Sequence, residues 1–108
     1  MKYALLAYSA SEAAQRGPIT PAIAEALERS NVRSWLRLTA VESATTLSGR
    51  DGKTLLTDGP FVDSKEYLGG LIVIEAANLD EALAFATELH GLMRSGGAIE
   101  VRPILDAG

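Results

Sequence analysis

The chain has no cysteine in its 108 residues, which excludes disulfides, thiolate nucleophiles and cysteine-ligated zinc or iron–sulfur centres. It has a single histidine, His90, and its carboxylates are scattered. A metal site needs several ligands at suitable spacing, so neither a metal nor another cofactor is expected. Runs of basic charge are also missing. The ten Lys and Arg never stand side by side and the net charge is −4, which argues against nucleic-acid binding. The longest apolar runs, Tyr3 to Tyr8 and Leu71 to Ile74, fall far short of the about 20 residues a membrane span requires. No apolar signal segment follows Lys2, so the expectation is a soluble, cytoplasmic protein with no membrane association. What remains is an ordinary globular composition, 47% hydrophobic and 22% charged, over residues 1–108 as a single domain.

Local signals divide the chain into strands and helices. Lys2 to Tyr8 reads as a strand with apolar residues on both faces. Ser9 to Ile19 connects, with Ser9 and Glu12 in capping-box spacing. Thr20-Pro21 then starts a helix, Thr as N-cap and Pro at the first helical position, expected to reach Trp35 with Ile23, Leu27 and Trp35 buried. Ala44 to Ser48 and Thr54 to Thr57 are short β-type runs separated by Asp51-Gly52, a strong hairpin turn signal. Leu71 to Ala76 is the clearest strand. Asn78 caps a second helix, with Glu81 three residues on and Leu79, Ala82, Leu83, Ala86, Leu89 and Met93 at helical spacing. Gly91 is placed to stop it. Ser95-Gly96-Gly97 connects to a last strand, Ile99 to Ile104.

Read in order, these elements describe an α+β chain of the ferredoxin-like β-α-β-β-α-β type, an antiparallel sheet with two helices on one face. Both Leu71-Ile72-Val73-Ile74 and Tyr3-Ala4-Leu5-Leu6 are apolar on both faces, whereas a sheet facing water alternates with polar residues. The face without helices therefore needs a cover, most simply the same face of a second copy. Each large aliphatic side chain buried there is worth about 1.5–3 kcal/mol before association costs. A homodimer closed sheet to sheet is the expectation.

The densest motif is Thr57-Asp58-Gly59-Pro60-Phe61, followed by Ser64-Lys65-Glu66 and Leu68-Gly69-Gly70. With Leu79-Asp80-Glu81-Ala82, the opening Met1-Lys2-Tyr3-Ala4-Leu5-Leu6 and the close Ile99-Glu100-Val101-Arg102-Pro103, it resembles the YCII-related family in its DGPF branch. The resemblance implies a dimeric α+β barrel and, through genetic context in that family, a link to extracytoplasmic-function sigma factors. Another branch is proposed to be enzymatic through a His–Asp pair. His90, at the expected end of the second helix, supplies no obvious counterpart. The stretch Arg37 to Ser43 also lacks the glycine-rich segment that relatives usually carry there.

Four residues are candidates for a site. Asp58 sits before Gly59, which can take positive φ, and Pro60, which fixes its own φ. That turn holds the carboxylate rigidly, either as a general base beside a cavity or as an acceptor for local backbone N–H groups. Lys65 suits an anionic ligand and Glu66 a second carboxylate. As neighbours on a strand they point to opposite faces, and the plain alternative is an exposed charge pair. Arg102, with Glu100 on one face of the last strand, either grips a carboxylate bidentately or discourages edge pairing. His90 fits the electrostatics of a helix C-terminus. Gly69-Gly70 matches no phosphate loop and suits a bulge.

These residues leave three functions open. One is an enzyme-like domain that binds a small organic molecule, an anion being the class Lys65 and Arg102 suit, with Asp58 as base. The second is a non-catalytic sensor or accessory module linked to sigma-factor regulation. The third is a structural dimerisation domain in which the DGPF turn serves folding alone.

Overall fold

The computed structural model describes residues 1–10, 17–62, 65–93 and 97–108. Strand β1 (Lys2–Ser9) is followed by helix α1 (Pro21–Leu27) and strand β2 (Val32–Arg37). A 3₁₀ turn (Val41–Ser43) leads to β3 (Thr45–Arg50) and β4 (Lys53–Asp58). Strand β5 (Tyr67–Glu75), helix α2 (Leu79–Leu92) and strand β6 (Ala98–Pro103) complete the chain. The expected Ser9–Glu12 capping pair, Ser64 and the Ser95-Gly96 connection fall wholly or partly outside the described residues.

The main sheet runs β2-β5-β1-β6, every neighbouring pair antiparallel. Both helices pack on one side of it. Tyr3 and Leu5 of β1 and Ile72 and Ile74 of β5 form one buried cluster with Ala26 and Leu27 of α1 and Ala82, Phe85, Ala86 and Leu89 of α2. This α+β arrangement is compatible with the ferredoxin-like fold. No helix among the described residues is long and apolar enough to cross a membrane.

Two corrections to the sequence reading matter. The first helix does not reach Trp35. Thr20 caps it as expected, its hydroxyl accepting from the Ile23 N–H at 3.3 Å, but the helix ends at Leu27. Val32 to Arg37 is instead the edge strand of the main sheet, paired with β5. Ser30 and Asn31 are poor helix formers, and β-branched Val32 and aromatic Trp35 favour the strand once β5 offers an edge.

The second correction concerns Ala44–Ser48 and Thr54–Thr57. They do form a hairpin, with Asp51 and Gly52 both at positive φ (53° and 74°), the conformation Asp-Gly is chosen for. That hairpin forms a separate two-stranded sheet, an arm inserted between β2 and β5. The β-α-β-β-α-β core is completed by β2.

Smaller details also follow local chemistry. Asn78 accepts from the Glu81 N–H at 2.9 Å, and Asp80 and Glu81 sit where the helix dipole favours negative charge. Helix α2 passes through Gly91 and ends at Leu92, one residue beyond the expected stop. Between β1 and β5 the register shifts, Ala7 opposing Gly70 and Tyr8 opposing Leu68, which leaves Gly69 as the bulged residue.

Candidate functional site

The rows of paired residues across the sheet explain where a cavity forms. On the helix side, Trp35, Ile72, Leu5 and Val101 stand in one row. The next row reads Arg37, Gly70, Ala7, Ile99. Its two central positions carry almost no side chain, so the sheet floor drops there. Gly70 has a second constraint, because a Cβ on it would meet the Leu36 carbonyl oxygen at 3.2 Å. Helix α1, only seven residues long, cannot cover the depression.

The result is a cleft of about 580 Å³ between sheet and helices. Ile19, Ile23 and Leu27 form its α1 side, Leu89 and Met93 its α2 side, and Trp35, Ile72 and Ile99 its floor and flanks. This size and lining suit a small organic ligand. Trp35, expected in the core of a helix, is a strand residue 44% exposed along this cleft.

Polar groups are few among the described lining residues. Arg37 lies at the end of the row, and its guanidinium donates to the Gly17 carbonyl at 2.7 Å, tying β2 to the segment before α1. Ser9, the buried polar residue at the end of β1, Tyr8 and Thr20 supply hydroxyls. The Thr20 oxygen already serves as the helix cap. None of the described lining residues is Asp, Glu or His. A site of this kind can enclose an apolar body and offer it one cationic end. Among the described lining residues no carboxylate or imidazole stands ready as a general base.

The structure distributes the four sequence candidates away from this cleft and over several places. Asp58 is the exposed last residue of the arm, paired with Thr45. The turn after it is held by the backbone. Gly59 adopts φ 96°, its N–H donates to the Ala44 carbonyl at 2.7 Å, and its own carbonyl accepts from the Thr46 hydroxyl at 2.7 Å. Lys65 and Glu66 are exposed just before β5. Arg102 lies on the helix-free face, 68% exposed and 3.3 Å from Glu100. His90 is also accounted for. Its Nε2 is 2.7 Å from the Gly97 carbonyl, which can only accept, so the ring donates there and fastens the end of α2 to the start of β6.

The sequence reading missed the cleft because its floor is defined by cross-strand neighbours. Gly70 and Ala7 are far apart along the chain, and only the register brings their small side chains together. Arg37 was hidden by the extended helix assignment, which ended just before it.

Two comparisons bear on this arrangement. The YCII-related domain profile matches residues 1–107. An uncharacterised protein of Rhizobium meliloti (strain 1021), R00369, is 46% identical over 68 residues, covering 63% of this chain and 55% of the relative. The match thus spans about half the length of that curated protein.

Proposed function

This chain belongs to the YCII-related family, and we propose that it acts as a binding domain for a small organic molecule with an apolar body and an anionic or carbonyl end. The observation that carries this reading is the cleft of about 580 Å³ whose floor is the Gly70–Ala7 depression and whose end is Arg37. An apolar body displaces water from Ile23, Leu27, Ile72 and Ile99. The oxygen end of the ligand lies toward the Arg37 guanidinium, a planar donor suited to carboxylates. No metal is assigned to the binding.

Within the family we place the chain in the DGPF branch, on Asp58-Gly59-Pro60-Phe61. We also propose that it works as a homodimer through the helix-free face, where Leu36, Leu71 and Leu6 stand in one apolar row. In this reading Asp58 belongs to the arm, with Gly59 as the constrained residue, and Arg102 belongs to the dimer face.

The test is thermal unfolding of purified protein with a panel of arylacetic acids, medium-chain fatty acids, lactones and phenols. A ligand at a hundred times its dissociation constant adds about 2.7 kcal/mol, several degrees at this chain length. The shift is expected to disappear in Ala7→Leu, which fills the depression, and to fall in Arg37→Ala. A ligand shift that survives Ala7→Leu unchanged would remove the cleft from consideration.

A further inference from the structure

The row Trp35–Ile72–Leu5–Val101 lies on the face that the helices cover, yet its members fare differently. Leu5 and Ile72 are buried, whereas Trp35 is 44% exposed. Helix α1 contributes only Ala26 and Leu27 to the buried cluster, and the indole stays outside it. Tryptophan is highly buried on average, so a large ring left open on the core side of a sheet is the informative exception.

The indole stands beside the flattest part of the cleft. Gly70 is its diagonal neighbour on β5, within reach of an aromatic side chain. Gly70 and Ala7 place only backbone and one methyl on the floor between β2 and Ile99 of β6, a width of three strand spacings or roughly 14 Å. Ile19 and Ile23 bound the cleft on the α1 side and Met93 on the α2 side. A flat floor bounded by aliphatic side chains and a thioether suits the two faces of a planar ring, and methionine sulfur packs favourably against aromatics.

We propose that Trp35 determines the specificity of the cleft, selecting a ligand whose apolar body is an aromatic ring laid on the Gly70–Ala7 floor against the indole. This inference rests on the binding function proposed above and narrows its ligand to aryl acids with a short linker. Two residues apart on one face of β2, Trp35 and Arg37 stand roughly 7 Å from each other, the reach of a ring joined to a carboxylate by one or two methylenes. An alkyl body gains only apolar burial in this site. A ring beside an indole gains an offset or edge-to-face contact in addition, and its rigidity leaves less freedom to lose on binding.

The experiment titrates the full chain with 3-phenylpropionate and 3-cyclohexylpropionate, followed by amide NMR shifts. The saturated acid is at least as hydrophobic, so burial alone cannot favour the aromatic one. Wild type is expected to bind the aromatic acid about 3- to 10-fold more tightly, with shifts at Ala7 and Gly70. Trp35→Leu is expected to level the two dissociation constants, and Trp35→Phe to keep the preference.

Equal affinity in wild type, or a preference that survives Trp35→Leu, overturns the role of Trp35 and leaves the binding function standing. Failure of both acids while another member of the wider panel binds overturns the ligand class alone. Silence across the whole panel overturns the binding function and this inference together. If Trp35→Leu does not fold, the chain's single tryptophan supplies a second measurement. Saturating 3-phenylpropionate is expected to shift the Trp35 emission and shield it from acrylamide quenching, and an indole left as accessible as before overturns the contact.

Discussion

The guanidinium of Arg29 grips both carboxylate oxygens of Glu88, each at 2.6 Å, and lies over the Phe85 ring at 5.9 Å from its centroid. This forked contact joins the turn after α1 to the middle of α2, so it spans the two helices that cover the sheet. Its hydrogen bonds and the Arg29 charge hold the Glu88 carboxyl below its ordinary value, and Glu88 in turn raises that of Arg29.

The pH dependence follows from that direction. A carboxyl with a lowered folded value stabilises the fold above its unfolded value, about 4.3 for Glu, and the benefit fades as pH falls through the folded value. The urea midpoint of wild type should therefore exceed that of Glu88→Gln at pH 7, with the gap closing below pH about 4. The pair is half-exposed, so high salt should also narrow it. A gap that stays constant from neutral to acid pH would mean that the charge contributes nothing.

Two glycines make opposite predictions. A Cβ on Gly97 would collide with the Tyr8 carbonyl oxygen, backbone that cannot yield without disturbing the β1–β6 pairing. Gly97→Ala should cost about 1–3 kcal/mol or more. Gly91, inside α2, has open space for at least 4 Å around the point where a methyl would stand, so Gly91→Ala should stabilise by about 0.5–1 kcal/mol. Chemical denaturation of the two variants side by side checks both signs.

Removing the His90 ring takes away the bond to the Gly97 carbonyl. His90→Ala should lose about 0.5–1.5 kcal/mol, and amide exchange should rise first at the start of β6. Uniform exchange throughout the chain would show that His90 does not fasten that junction.

The DGPF turn should behave as a structural device of the arm. Gly59→Ala forces a side chain into φ 96° and should cost about 1–3 kcal/mol. Asp58→Asn lies outside the cleft and should leave ligand-induced thermal shifts unchanged, whereas Arg37→Ala should diminish them. Equal losses in Asp58→Asn and Arg37→Ala would return Asp58 to the binding site.

What the sequence by itself determined are the features whose physics is complete within a few residues. Thr20 and Asn78 cap helices with their own side chains, Asp51-Gly52 turns a hairpin by accepting positive φ, and Gly69 makes a bulge. Which face of β1 and β5 meets the helices is not among them, because both strands are apolar on both faces. Tertiary structure decided the rest. Residues 32–37 became a strand because β5, distant in the chain, offered them an edge, a pairing that no local preference encodes. The candidate site depends on the same kind of long-range register. Gly70, Ala7 and Arg37 are unremarkable apart, and only when three strands align do they become a hollow with a charge at its end.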